Sequence, residues 1–190
     1  MKSEKLKILE EEVKNCKRCN LWKERKNPVF GGGNPDANIL FIGEAPGYYE
    51  DLKGIPFCGK AGKILDILFD SVGIKRSDVY ITNIIKCRPP GNRDPKIEEI
   101  EACRYFIEKQ IEIIKPDVIC CLGRHSLKFI FNKFSIKEEA NMRKVHGKVF
   151  EKNTLFSPVK IVALYHPAFA TYNPKALEIL KKDFEILKKI

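Results

Sequence analysis

The sequence predicts an α/β protein, a three-layer α/β/α sandwich around a four-stranded parallel sheet. Three observations predict it. Short continuous apolar runs such as NILFIG (38–43) and DVICCLG (117–123) read as strands buried on both faces, as in a parallel sheet. Segments with apolar residues at helical spacing separate these runs. The unusual polar residues fall just after the strands, in GEAPG, TNIIKCRPPGNRDP, LGRHS and YHPAFATYNP. Open parallel sheets bind ligands beyond those carboxyl ends.

Taken in order, residues 4–15 set Leu6, Leu9 and Val13 on one helical stripe, with Ser3 as the cap, and run into CKRC. The first strand is 38–43. AGKILDILFDSVGI follows as a helix with Ile64, Leu65, Leu68 and Val72 on one face. DVYITNIIKC (78–87) is the second strand. Asp94 as cap and Pro95 in the first turn start a helix that reaches about Lys115. DVICCLG is the third strand, RHSLKFIFNKF a further helix, and VKIVALYHP (159–167) the fourth strand. Asn173 and Pro174 start the final helix. With no internal repeat, linker or low-complexity tract, residues 1–190 are expected to form one domain with an N-terminal helix and a CxxC knuckle.

Lys plus Arg number 35 against 25 Asp plus Glu, a net charge of +10 that favours a polyanionic partner such as nucleic acid. No apolar run reaches the roughly 18 residues of a membrane span, and MKSEKLKILEEEVKN is too charged for a signal peptide. A monomer located in the cytoplasm, near the nucleoid, is expected. Gln110 is the only glutamine, and Lys, Glu and Ile are abundant, a bias shared by thermophiles and AT-rich genomes.

The cysteines sort into groups. Cys120 and Cys121 lie in an apolar strand and read as core thiols; Cys58, in a Gly-rich loop, reads as a small filler. Cys16 and Cys19 form a C-x2-C knuckle, Cys87 closes the second strand, and Cys103 lies on the stripe Ile100, Cys103, Ile107, Ile111. Four thiols from two separated segments of a reduced protein point to tetrahedral zinc or an iron–sulfur cluster. The spacing between Cys87 and Cys103 matches no common zinc finger and favours [4Fe–4S].

The stretch 39–66, ILFIGEAPGYYEDLKGIPFCGKAGKILD, runs from strand to helix through a Gly-rich turn, the usual form of a phosphate cradle. A carboxylate just after the strand and an aromatic just before the helix are unusual in such a cradle. Together with CKRC, VFGGGNPDANILFIGEAPG, EDLKGIPFCGKAGKILD, VYITNIIKCRPPGNRDP, the following AC, and HPA, it resembles the family 4 uracil-DNA glycosylases, over roughly Cys16 to Ala168. Cys58 stands where that family usually has Val, and His146 where many members have Arg before Gly.

The resemblance implies hydrolysis of the N-glycosidic bond of deoxyuridine in single- or double-stranded DNA, leaving an abasic site, and a [4Fe–4S] cluster on Cys16, Cys19, Cys87 and Cys103. It places the backbone of Gly43, Glu44 and Ala45 near the base, Phe57 as the stacking partner, and His166 as a donor to uracil O2. Asn83 offers both a donor and an acceptor to the base edge. Other uracil glycosylases carry GQDP at the first turn, with Asp positioning water; here Ala45 stands in that place, so Glu44 takes the role. Glu50 is a secondary candidate for shaping the pocket or contacting water. Gly59 and Gly62, with Lys60 and Lys63, are expected to meet the DNA phosphate, and CRPPGNR and HPAFATYN to touch the backbone or fill the gap left by the base. His125 reads as structural. A replication clamp is left open as a further partner. The alternative is a non-catalytic iron–sulfur module that holds uracil-containing DNA. A related group traps such DNA through a histidine in a KRRIH-like insertion, which is absent between Cys87 and Cys103.

Overall fold

Continuous apolar segments build the centre of a mixed sheet, and helices cover both of its faces. The structure is a computed structural model that describes residues 1–154 and 157–190. Its strands are β1 (Gly32–Gly33), β2 (Ile39–Gly43), β3 (Tyr80–Asn83), β4 (Val118–Leu122), β5 (Val149–Asn153) and β6 (Pro158–Leu164). They lie in the order β1-β3-β2-β4-β6-β5. The inner four, β3-β2-β4-β6, are parallel, while β1 and β5 pair antiparallel at the two edges. The expected four parallel strands are therefore the middle of a six-stranded sheet. The edges carry weak sequence signals: β1 is two glycines, and β5 is a half-exposed strand.

The main helices are α1 (Lys2–Lys14), α2 (Tyr48–Lys53), α3 (Lys60–Val72), α4 (Ile97–Ile114), α5 (Arg124–Lys133), α6 (Met142–Val145) and α7 (Pro174–Phe184). Strand side chains alternate between two cores. Leu40, Ile42, Ile119 and Cys121 pack with α1, α4 and α5. Phe41, Ile81, Cys120 and Leu122 pack with α3 and α7. Cys120 and Cys121 are fully buried on opposite faces, as expected of core thiols.

Local chemistry sets the helix ends. Asn173 Oδ1 accepts from the Lys175 N–H at 3.1 Å with Pro174 in the first turn, as the sequence predicts for α7. The start of α4 is corrected: the cap is Lys96, not Asp94, and Pro95 precedes the helix. The Glu99 carboxylate accepts from the Lys96 N–H at 2.8 Å and pairs with Arg93 at 2.5 Å, so it supplies the end that Asp94 was expected to supply. Likewise α1 begins at Lys2 and contains Ser3, with Met1 as its cap. Among the described residues, no helix is long and apolar enough to cross a membrane.

Beneath the sheet, Lys86 is 1 % exposed, and its Nζ donates to Thr82 Oγ1, the Asn83 carbonyl and Gln110 Oε1 at 2.7, 2.7 and 2.6 Å. The sole glutamine also donates to the Phe30 carbonyl at 2.9 Å. This network pins the end of β3 to α4. Gln110→Ala takes one of three acceptors from the buried Lys86 and one of two donors from the Phe30 carbonyl, which keeps Thr82 Oγ1. The expected cost is about 2–3 kcal/mol, read as a lower midpoint of urea unfolding with an unchanged slope.

Candidate active site and cysteine centre

The chain passes from β2 to β3 on one side, then crosses back over β2 to reach β4, so the sheet opens a crevice at the end of β2. A cleft of about 400 Å³ lies there, lined among others by Glu44, Ala45, Glu50, Phe57, Asn83 and His166. These come from the ends of β2, β3 and β6 and from the turns beside α2 and α3. The structure thus gathers the expected base-contacting residues in one place.

Gly43 sits at the bottom. A Cβ here would lie 2.4 Å from Asn83 Oδ1 and 2.7 Å from Phe57 Cζ, so only glycine lets the amide and the ring converge on the strand end. Asn83 is 2 % exposed, and its Oδ1 is the one buried side-chain polar atom without a partner among the described residues. Buried acceptors are ordinarily paired; this one belongs to a residue that lines the cleft and has no donor.

Phe57 has φ 50°, a left-handed backbone that an aromatic residue rarely adopts. Arg76 Nη2 holds it by donating to the carbonyls of Pro56 and Phe57, both at 2.8 Å. Gly62 packs beneath, where a Cβ would fall 1.8 Å from the Phe57 carbonyl oxygen. The ring is thereby turned toward His166, with centroids 5.6 Å apart and planes inclined by 31°.

His166 Nδ1 accepts from the Ala168 N–H at 3.1 Å, so the proton of the neutral ring resides on Nε2. Burial pushes its pKa down to about 4. The ring is a neutral donor at ordinary pH.

Glu44 is half-buried, and burial raises its carboxyl above the usual range; His125 and Arg124 pull it down and Asp94 raises it. His125 Nε2 lies 3.8 Å from Glu44 Oε2 and 3.4 Å from Asp94 Oδ2. Arg124 pairs with Asp94 and donates from Nε to His125 Nε2 at 3.2 Å. Sequence reasoning gave His125 and Asp94 no place here. The available signal was that LGRHS and NRDP both follow parallel strands.

Glu50 is buried, and its Oε1 accepts from the Gly59 N–H at 2.8 Å. It braces α2 against the turn before α3, and the Gly59 amide is occupied within the protein. Gly62 is enclosed against Phe57. Of the four residues assigned to phosphate, Lys60 and Lys63 are exposed, and Lys60 lines the cleft mouth with its Nζ 5.5 Å from the Tyr172 ring centroid.

A second, smaller cavity brings together Cys16, Cys19, Cys87 and Cys103 with Arg25 and Lys86. Burial raises the Cys19, Cys87 and Cys103 thiols, Cys103 to about 12. Arg25 Nη1 donates to Cys87 Sγ at 3.2 Å, and its Nη2 to the Lys14 carbonyl at 2.6 Å. Both cations favour thiolates, and the ligand set is all sulfur. Among the described residues the one trio of ligand atoms within 4.8 Å of one another is Glu44, Asp94 and His125, so the sulfurs stand wider apart. A single zinc ion, with bonds of about 2.3 Å to each thiolate, would draw its sulfurs to within about 4 Å of one another.

A family model described as the uracil DNA glycosylase superfamily matches residues 30–188. The chain is 48% identical over 182 residues to a type-4 uracil-DNA glycosylase of Archaeoglobus fulgidus, covering 96% of this chain and 91% of that protein. It is 47% identical to one of Saccharolobus solfataricus, covering 96% and 85%, and 40% identical to one of Thermotoga maritima, covering 99% and 97%.

The His166 assignment has a direct test. In nitrogen-15 NMR of labelled protein, His166 is expected to hold its Nε2–H tautomer without titrating between pH 5 and 9, given its pKa of about 4. A midpoint near 6.5, the unperturbed value, would show that the ring becomes cationic.

Proposed function

This chain belongs to the uracil-DNA glycosylase superfamily, and we propose from its cleft how it removes uracil from DNA. The observation that carries the proposal is the orphaned Asn83 Oδ1. A glycosylase acts on a nucleotide turned out of the stack. Uracil in the cleft lies against Phe57, and its N3–H supplies the donor that Oδ1 lacks, while the amide nitrogen donates to O4. Cytosine has no proton on N3. It leaves Oδ1 unpaired, at a cost of about 1–3 kcal/mol.

Hydrolysis follows from the two remaining side chains. Water adds to C1′ as the C1′–N1 bond breaks, and the bonding pair leaves with uracil. His166 Nε2–H donates to O2, where the negative charge of the departing base collects, a prepositioned dipole that needs no proton transfer. Glu44, as carboxylate, orients the water, accepts its proton and faces the positive charge that develops on the sugar, as in glycosidases. The water oxygen ends on C1′ and leaves an abasic site. Lys60 and Lys63 supply charge for the phosphates beside the flipped nucleotide.

The four cysteines hold a [4Fe–4S] cluster. Its support is the all-sulfur ligand set, the adjacent Arg25 and Lys86, and sulfurs spaced too widely for one zinc ion. Cys16, Cys19, Cys87 and Cys103 would hold such a cluster through their thiolates, and its chemistry there would be to tie the end of α1 to the segments after β3 and on α4. N-glycosidic hydrolysis moves no net electrons, so that role is structural.

Uracil-containing single- and double-stranded oligonucleotides, followed by alkaline cleavage, test the reaction; intact strands after incubation with cluster-loaded protein refute it. Glu44→Ala is expected to lower kcat about 100-fold or more while substrate affinity changes little; normal turnover removes Glu44 from the mechanism. Because burial raises the Glu44 pKa, activity is expected to fall with decreasing pH at a point above the ordinary glutamate range. His125→Ala removes a neighbour that lowers this pKa, so the acid limb of kcat/KM moves to higher pH. Asn83→Asp is expected to narrow the preference for uracil over cytosine. A broad absorbance near 400 nm in anaerobically purified protein accompanies the cluster; colourless protein with stoichiometric zinc overturns it.

A further inference from the structure

The excision mechanism leaves an aromatic and basic surface beside the cleft unused. Tyr48 and Tyr49 open α2 and are 47% and 48% exposed. Their rings meet edge to face, 5.3 Å apart at 84°. The Arg88 guanidinium lies 5.2 Å from the Tyr48 ring centroid and Lys26 Nζ lies 5.7 Å from it. None of these four lines the cleft, yet Tyr48, Tyr49 and Arg88 adjoin residues that do, and Lys26 lies against Tyr48. Gly47 and Glu50, which bracket the tyrosines, line it, and Arg88 Nε donates at 2.7 Å to Asn92, which lines it too. Tyr49 also packs against Gly59, one residue before Lys60 at the cleft mouth.

We propose that Tyr48, Tyr49, Arg88 and Lys26 form a stacking platform for an unpaired base of the uracil-containing strand, next to the flipped nucleotide. The proposal rests on the uracil-excision reading and specifies its substrate further: single-stranded DNA gains contacts here that a duplex does not. Bases in a duplex are already stacked and present only their edges, whereas an unpaired base offers a whole face to an exposed ring. A guanidinium over a tyrosine adds attraction of its own. Two cations beside the rings complement the phosphates that the strand must carry past α2. The surface is continuous with the cleft, so a strand with its uridine in the cleft runs across it without a gap.

Two measurements test the proposal. The double variant Tyr48→Ala, Tyr49→Ala is expected to raise KM for a uracil-containing single strand about tenfold, a stacking loss of ordinary size, with kcat unchanged. KM for duplex is expected to rise much less. An equal rise on both substrates, or no rise on either, overturns the proposal. Separately, 2-aminopurine is placed on either side of a central thymine in a uracil-free single strand. Its fluorescence is expected to be quenched at one of those positions by wild type and by the Tyr48→Phe, Tyr49→Phe variant, but not by the alanine variant. Wild type that quenches at neither position overturns the platform. Wild type that quenches yet releases no uracil leaves the platform standing and refutes the excision reading instead.

Discussion

A buried amide oxygen without a donor sits at the bottom of the cleft, and much of the surrounding structure serves to keep it there. The strand that carries it is fixed on three sides. Lys86 grips the Asn83 carbonyl from below. Beyond the strand ends, the Ile84 and Ile85 amides donate to the carbonyls of Gly43 and Glu44 at 3.0 and 3.2 Å, which extends the register of β2 and β3. Phe57 closes the third side, held in a left-handed conformation by Arg76. An unsatisfied acceptor costs about 1–3 kcal/mol, and a ligand that satisfies it recovers that energy. In the proposed reading, selectivity is thereby stored in the free protein as a local instability.

The cysteine centre belongs to the same arrangement. Lys86 and Cys87 are consecutive: one supports the Asn83 backbone, and the other faces the sulfur cavity. Gln110 and Cys103 lie on the same helix, about two turns apart, and serve the same two sites. What fastens the cysteines therefore also fixes Asn83, the proposed base reader, although the two are chemically unrelated. In the proposed reading, a centre with no part in bond cleavage still bears on selectivity through the short stretch from Asn83 to Cys87.

The inner strands were legible because a parallel sheet covered on both faces demands continuous apolar runs, and NILFIG and DVICCLG have them. The site was legible because such sheets place ligands at strand ends, where the polar residues cluster. The edges were not: two glycines carry no alternation, and β5 is too half-exposed to read as a strand. Asp94 looked like a helix cap because Asp-Pro is a common start signal, but Glu99 competes for that end and wins through two bonds. His125 is half-buried opposite Glu44 only because two loops from different strands meet, which spacing along the chain does not encode. The roles of Glu50, Gly59 and Gly62 were obscured for the same reason. Gly-Lys-Ala-Gly resembles an open phosphate turn, yet one glycine amide is taken by Glu50 and the other glycine is covered by Phe57.

Burial acts in opposite directions on Glu44 and His166, and the opposition suits the roles proposed for them. It penalises whichever form is charged, so it raises the carboxyl of Glu44 and lowers the imidazole of His166. For His166 nothing opposes the penalty, and the ring stays neutral with its Nδ1 occupied by the Ala168 amide. For Glu44 the penalty is partly offset by His125 and Arg124. The proposed mechanism places the raised carboxyl of Glu44 beside the sugar and the neutral imidazole of His166 beside the base. An imidazolium in the same place would lie close to the cationic sugar of the transition state and raise its energy. In the proposed mechanism a neutral donor meets the departing uracil without that repulsion, and Glu44 faces the sugar with His125 3.8 Å from its carboxyl.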